Sequence, residues 1–341
     1  MNPGNTGTSP TNADTDGDGI EDGDEVLGTL QGLALNTLGA KPLRKDIFVE
    51  ADWMDSPSGN QWCINTPFSM KPTAYEVNKV KNAFAAAPGS IPDGSTGFDF
   101  IMDYGQGSPF TGGNKVAGDG HITGDVNTGN DAQFNSIKAA NFASNRNGYF
   151  HYLLMASEYS TRAGSSGVAE LPGDDFVVTF PPCFLLNGTT NPDATNADQV
   201  ANTIMHELGH NLGLHHGGTN DVNFKPNFNS IMNYAYQGDG IDTNCDALGD
   251  NVLSYSRGTD ITLNEASLTE ANGVCGPGFP IDWNFSGTIT SGVSRDLNGD
   301  GLKTTFSDFN DWSHLSFGGL TEADGARIAP TWVVEQQAKP R

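Results

Sequence analysis

Up to about residue 180 the apolar positions alternate between two periods. KDIFVEADWM, from Lys45 to Met54, carries β-favouring apolar residues between its charges and predicts a first strand. PTAYEVNKVKNAFAAAP, Pro72 to Pro88, spaces its apolar residues at the helical period between two prolines and predicts an amphipathic helix. FDFIMDY (Phe98–Tyr104), YFHYLLMAS (Tyr149–Ser157) and DFVVTF (Asp175–Phe180) predict further strands, with a helix at DAQFNSIKAANF (Asp131–Phe142) between the first two. Strands that alternate with helices imply a mixed sheet with helices packed on it. A long helix is expected from about Ala197 to Leu212, and beyond it Gly, Asn and Asp dominate, with short helical pieces such as Thr262–Ala271.

The ends and the composition refine this picture. Residues 1–28 are rich in Gly, Asn, Thr and Asp without a core-forming pattern, so they are expected to form a cation-binding appendage joined by a linker, 29–45, to a main domain, 46–341. Of 341 residues 36% are apolar and 9% aromatic, which makes wholesale disorder improbable. The net charge is -24 although only 17% of residues are charged, so the imbalance reflects scarce Lys and Arg. Such a surface repels phosphates, which argues against nucleic acid as a partner. No apolar run approaches the roughly 20 residues that span a bilayer, and a monomer without membrane attachment is expected.

Cys63, Cys183, Cys245 and Cys275 contain no C-x-x-C pair, which disfavours a thiolate metal site and suggests two disulfides in an oxidising compartment. Three pairings are possible, and the short interval favours Cys245 with Cys275, hence Cys63 with Cys183. The opening MNPGNTGTSP has neither a basic nor an apolar leader region, so a secreted protein would have lost its signal peptide before this start.

The most informative string is HELGHNLGLHH, His206 to His216. Residues four apart share a helix face, so His206 and His210 can aim at one point. Gly213 can end the helix through a left-handed conformation and return His216 to the same ion. Three imidazoles with an open position describe a catalytic zinc site, and Glu207, beside the first ligand, is placed as general base. His215 fits no ligand position and is expected to be an ordinary exposed residue or a support for the ligands.

Together HExxHxxGxxH and the downstream Ser230-Ile231-Met232-Asn233-Tyr234 resemble the signature and Met-turn of the metzincin zinc peptidases. The resemblance is firm from Ala197 to about Tyr236 and implies that Met232 packs beneath the histidines. Its astacin and serralysin branches imply that Tyr234 lies near the metal. Gly217 after the third histidine departs from the familiar branches, so the subfamily stays open. No matrixin-type cysteine switch is found, because Cys63 lies after the first strand.

Alternating oxygen side chains point to calcium. Asp14, Asp16, Asp18, Asp22 and Glu25 fall at loop positions 1, 3, 5, 9 and 12, with Ile20 offering its carbonyl at 7 and Gly19 at the sharp turn. With no helix pattern before it, the segment resembles a thrombospondin type 3 repeat, the alternative being a flexible acidic linker. A second loop is Asp296, Asn298, Asp300 and Leu302, echoed weakly at Asp282–Gly287; its twelfth position is Ser307, with Asp308 one place late. Asp119, His121 and Asp125 read as a surface turn.

The expected fold is therefore α+β in the metzincin manner. It comprises an upper lobe, 46–213, with a twisted mixed sheet, an irregular lower lobe, 214–341, that carries calcium-like loops within 282–308, and an active-site cleft between them. The expected function is a secreted zinc endopeptidase whose peptide substrate pairs with a sheet edge. The alternatives are a non-catalytic metal-binding adhesion module and a zinc amidase acting on cell-wall peptides.

Overall fold

The computed structural model describes residues 6–59, 61, 64–123, 132–159, 164–186, 194–317 and 331–334. They form an α+β protein of two compact units, one of the described residues up to Gly213 with 316–317 and 331–334, and one of residues 214–315.

The first unit contains, in chain order, helix α1 (Asp22–Leu27), strand β1 (Asp46–Trp53), helix α2 (Ala74–Ala85), strand β2 (Asp99–Asp103), helix α3 (Ala132–Asn141) and strand β3 (Phe150–Ala156). Strands β4 (Gly167–Leu171) and β5 (Asp175–Thr179), helix α4 (Ala194–Asn211) and strand β6 (Thr331–Val334) follow. The strands make one mixed sheet in the order β6-β4-β5-β3-β1-β2. Pairing is parallel from β2 through β5 and antiparallel at β5-β4 and β4-β6.

Interior parallel strands are covered on both faces, which is why β1 and β3 are buried at every position. The cost is that β1 brings carboxylates inside. Glu50 is answered by Arg146 at 2.5 Å, which also reaches Asp103 at 2.7 Å, while Asp52 accepts from the Tyr152 hydroxyl at 2.9 Å. Even with that guanidinium beside it, burial pushes Glu50 up to about 7. Helix α2 starts at a capping box in which Thr73 and Glu76 exchange hydrogen bonds. Helix α4 packs on β4, β5 and α2.

The expected strands and both sheet helices are found within a few residues of their predicted bounds. Strands β4 and β6 and the short helix α1 were not foreseen.

The second unit is irregular. Its core gathers Leu263, Leu268, Val274, Trp283 and Val293. The helix expected over Thr262–Ala271 is absent: Leu263 pairs with Phe306 and Leu268 with Val293 in two short ladders, and only Glu270–Asn272 makes a helical turn, of 3-10 type. Side chains spaced by five cannot share one helical stripe, but they can face two different partner strands. Among the described residues no helix is long and apolar enough to cross a membrane.

Candidate metal centres

Helix α4 places His206 and His210 one turn apart with ring centroids 4.9 Å from each other and no exposed surface. Gly213 ends the turn at φ +87°, a conformation glycine reaches without penalty, and donates to the His210 carbonyl at 2.8 Å. Along this continuous segment His206, His210 and His216 each offer a ring nitrogen within 4.8 Å of the others, and all three are buried. Three nitrogen donors at this spacing could hold a transition-metal ion. His215, by contrast, is half-buried and its Nδ1 meets Asp221 at 3.0 Å.

Glu207 is fully buried on the same helix. Strand β4 comes so close that a β-carbon on Gly167 would overlap the Glu207 carboxylate. The helix end is tied down by Asn211, whose amide donates to the carbonyls of Glu170 and Asp175 at 3.0 Å each while its oxygen meets His151 Nδ1 at 3.1 Å. Burial holds the His151 imidazole below its ordinary range, which favours its neutral form.

In the second unit Ser230–Tyr234 forms a tight turn. Met232 is fully buried, Ser230 Oγ donates to Asp311 at 2.5 Å, and the Asn233 amide donates to the carbonyls of Lys225 and Phe228. The Tyr234 ring lies 4.7 Å from that of His216. Gly217 has a local reason: a β-carbon there would run into the Val222 carbonyl, and the Gly217 carbonyl accepts from Lys225 Nζ at 2.7 Å.

A second group of candidate ligands lies in the N-terminal loop. Asp14 accepts from Gly17 and Gly19 at 2.7 and 2.9 Å, which winds the loop, while Asp22 accepts from the Thr15 amide and hydroxyl, both at 2.8 Å. Asp14, Asp16 and Asp18 present carboxylate oxygens within 4.8 Å of one another, and so do Asp18, Glu25 and Asp46. Both clusters could hold a metal ion. Helix α1 turns Glu25 inward; Asp46, which opens β1, was missed because nothing local links it to the loop. Burial, reinforced by neighbouring carboxylates, pushes Asp16 up to about 6, Asp18 to about 7 and Glu25 to about 10. Asp46 rises to about 8, chiefly by burial.

The second unit repeats the loop geometry. Asp296 accepts from Gly299 and Gly301 at 2.7 and 2.8 Å, as Asp14 does from Gly17 and Gly19. Asn298 and Asp300 turn their oxygens to the amides of Asp300 and Leu302. Asp308, one place late in the sequence, accepts from the Ser256 hydroxyl and the Asp260 amide. Glu265 faces this loop, fully buried and accepting from Leu297 and Thr304 at 2.5 and 2.7 Å. Glu270 serves Asn284 and Thr290 in the Asp282 loop likewise.

A loop absent from the expectations has the same winding: Asp242 accepts from Cys245 and Ala247 at 2.6 and 2.7 Å, and Asp250 from Thr243. Cys245 and Ala247 adopt φ +71° and +64° where the other loops use glycine, which hid it. The alternation Asp242, Asn244, Asp246 was the available signal.

Cys245 and Cys275 form a disulfide, as expected, and Cys183 is also disulfide-bonded; Cys63 and Asp125 lie outside the described residues. No protein-family model matches the chain, and no curated protein matches it.

Proposed function

We propose that the protein is a secreted zinc-dependent endopeptidase of metzincin type with calcium-stabilised loops. The carrying observation is the convergence of His206, His210 and His216 with Glu207 buried on the same helix. His206, His210 and His216 would hold a zinc ion, which would supply Lewis acidity toward a water and toward the scissile carbonyl. Glu207 takes the proton of the attacking water and passes it to the leaving amine. Tyr234, whose ring neighbours that of His216, donates a hydrogen bond to the oxyanion formed on the carbonyl. Among the described residues the group has three histidines; a catalytic zinc site would keep its fourth position for water and substrate, whereas a structural one is closed by a fourth protein ligand.

Calcium is the ion proposed for Asp14, Asp16, Asp18, the Ile20 carbonyl and Glu25, and for Asp296, Asn298, Asp300 and the Leu302 carbonyl, because these donors are all hard oxygens. The disulfide between Cys245 and Cys275 suits an extracellular setting.

Elemental analysis of the purified chain together with casein cleavage tests the reading. About one zinc per chain is expected, with Glu207→Ala keeping zinc and losing proteolysis. A chain that cleaves without zinc, or a Glu207→Ala variant as active as wild type, overturns it.

A further inference from the structure

The N-terminal loop does not complete its own carboxylate cluster. Asp46 belongs to β1, the strand between β3 and β2 in the sheet, and it is 3% exposed. Its amide donates to Asp18 Oδ2 at 2.7 Å, and its own Oδ2 accepts from the Lys41 amide at 2.6 Å. Its Oδ1 is buried without a hydrogen-bond partner. Glu25 is more exacting still: it is 1% exposed and neither of its carboxylate oxygens has a partner. The nearby ammonium of Lys45 is directed to the Gly17 carbonyl and lies 4.5 Å from the Phe317 ring centroid. A buried carboxylate that lacks hydrogen bonds and a counter-ion is costly unless a cation coordinates it.

We propose that Asp18, Glu25 and Asp46 together bind a divalent cation of the calcium class, so that a metal closes the N-terminal loop onto the first strand of the sheet. The proposal rests on the calcium reading of the loop and adds a ligand from outside it. The donors are all carboxylate oxygens, which select a hard ion over zinc. They lie within 4.8 Å of one another, inside the roughly 5 Å that two ligands of a single calcium can span. Asp18 also belongs to the Asp14 and Asp16 group, so it joins the two halves of the site. The link has mechanical meaning, because Ile20 of the loop and Phe48 of β1 bury their side chains in one core cluster.

Calcium titration of the full chain, freed of calcium and kept zinc-replete, tests this with wild type, Asp46→Asn and Asp16→Asn. Asp46→Asn should weaken the tightest calcium binding by about tenfold or more and reduce the calcium-induced rise in melting temperature, as Asp16→Asn does. If Asp16→Asn weakens binding and Asp46→Asn matches wild type, the link to β1 is overturned while the loop reading stands. If neither variant changes binding, both fall. Should Asp46→Asn fail to fold, anomalous diffraction from calcium-loaded wild-type crystals decides: an ion bonded to the Asp46, Glu25 and Asp18 carboxylates supports the proposal, and a map without it overturns it.

Discussion

Gly167 and Glu207 are matched in size: a β-carbon on residue 167 of β4 would occupy the space of the Glu207 carboxylate. The glycine therefore sets how the general base proposed here is oriented. Gly167→Ala should displace that carboxylate and lower kcat by about 10², the scale expected for a misplaced catalytic group, with the zinc content unchanged. Wild-type kcat in a folded Gly167→Ala variant would show that the carboxylate has room to adjust.

Tyr234 stands beside His216, where a phenol can meet charge that develops only in the transition state. Losing one such donor typically costs about 10² to 10³ in kcat. Tyr234→Phe should fall in that range with KM changed little and zinc retained. Equal kcat would reduce Tyr234 to a packing residue.

The raised carboxylates around the N-terminal loop give stability a pH dependence with a definite sign. Asp16, Asp18, Asp46 and Glu25 are pushed up to about 6, 7, 8 and 10, whereas unfolded carboxylates titrate near 4. Between those limits the folded chain binds more protons than the unfolded one, so calcium-free stability falls as pH rises from about 5 to 9. In the proposed calcium-bound form the ion replaces the protons, and its stabilising effect should grow over the same range. Calorimetric melting at several pH values, with and without calcium, checks this. A calcium-free melting temperature that rises across this interval would contradict it.

Asn211 joins the end of α4 to the strands on which the helix lies, with two donated hydrogen bonds at 3.0 Å. Replacing it by Ala removes its bonds to two carbonyls and its contact with His151, a loss of about 2–4 kcal/mol. Asn211→Ala should lower the urea midpoint accordingly while zinc content at low temperature persists. An unchanged midpoint would mean that water or a shifted side chain satisfies those carbonyls.

What can be read from the chain alone is what neighbours encode. The strands β1, β2, β3 and β5 and the helices α2, α3 and α4 follow from apolar period. The pairing of His206 with His210, and the exit at Gly213, follow from helix geometry over a few residues. Strand β4 pairs with β6, which comes from more than a hundred residues away, and that pairing leaves no local signature. Thr262–Ala271 carries helix formers, yet Leu263 and Leu268 are claimed by strands distant in sequence.

The ligand-like acids divide in the same way. The alternation from Asp14 to Glu25 is visible because one loop supplies it, whereas Asp46, and Glu265 in the second unit, face their loops only after distant backbone is brought alongside. Gathering buried like charges around one point is unfavourable for each segment by itself. Only the packed tertiary structure adds Asp46 and Glu265 to their loops, and the local patterns carry no trace of those two.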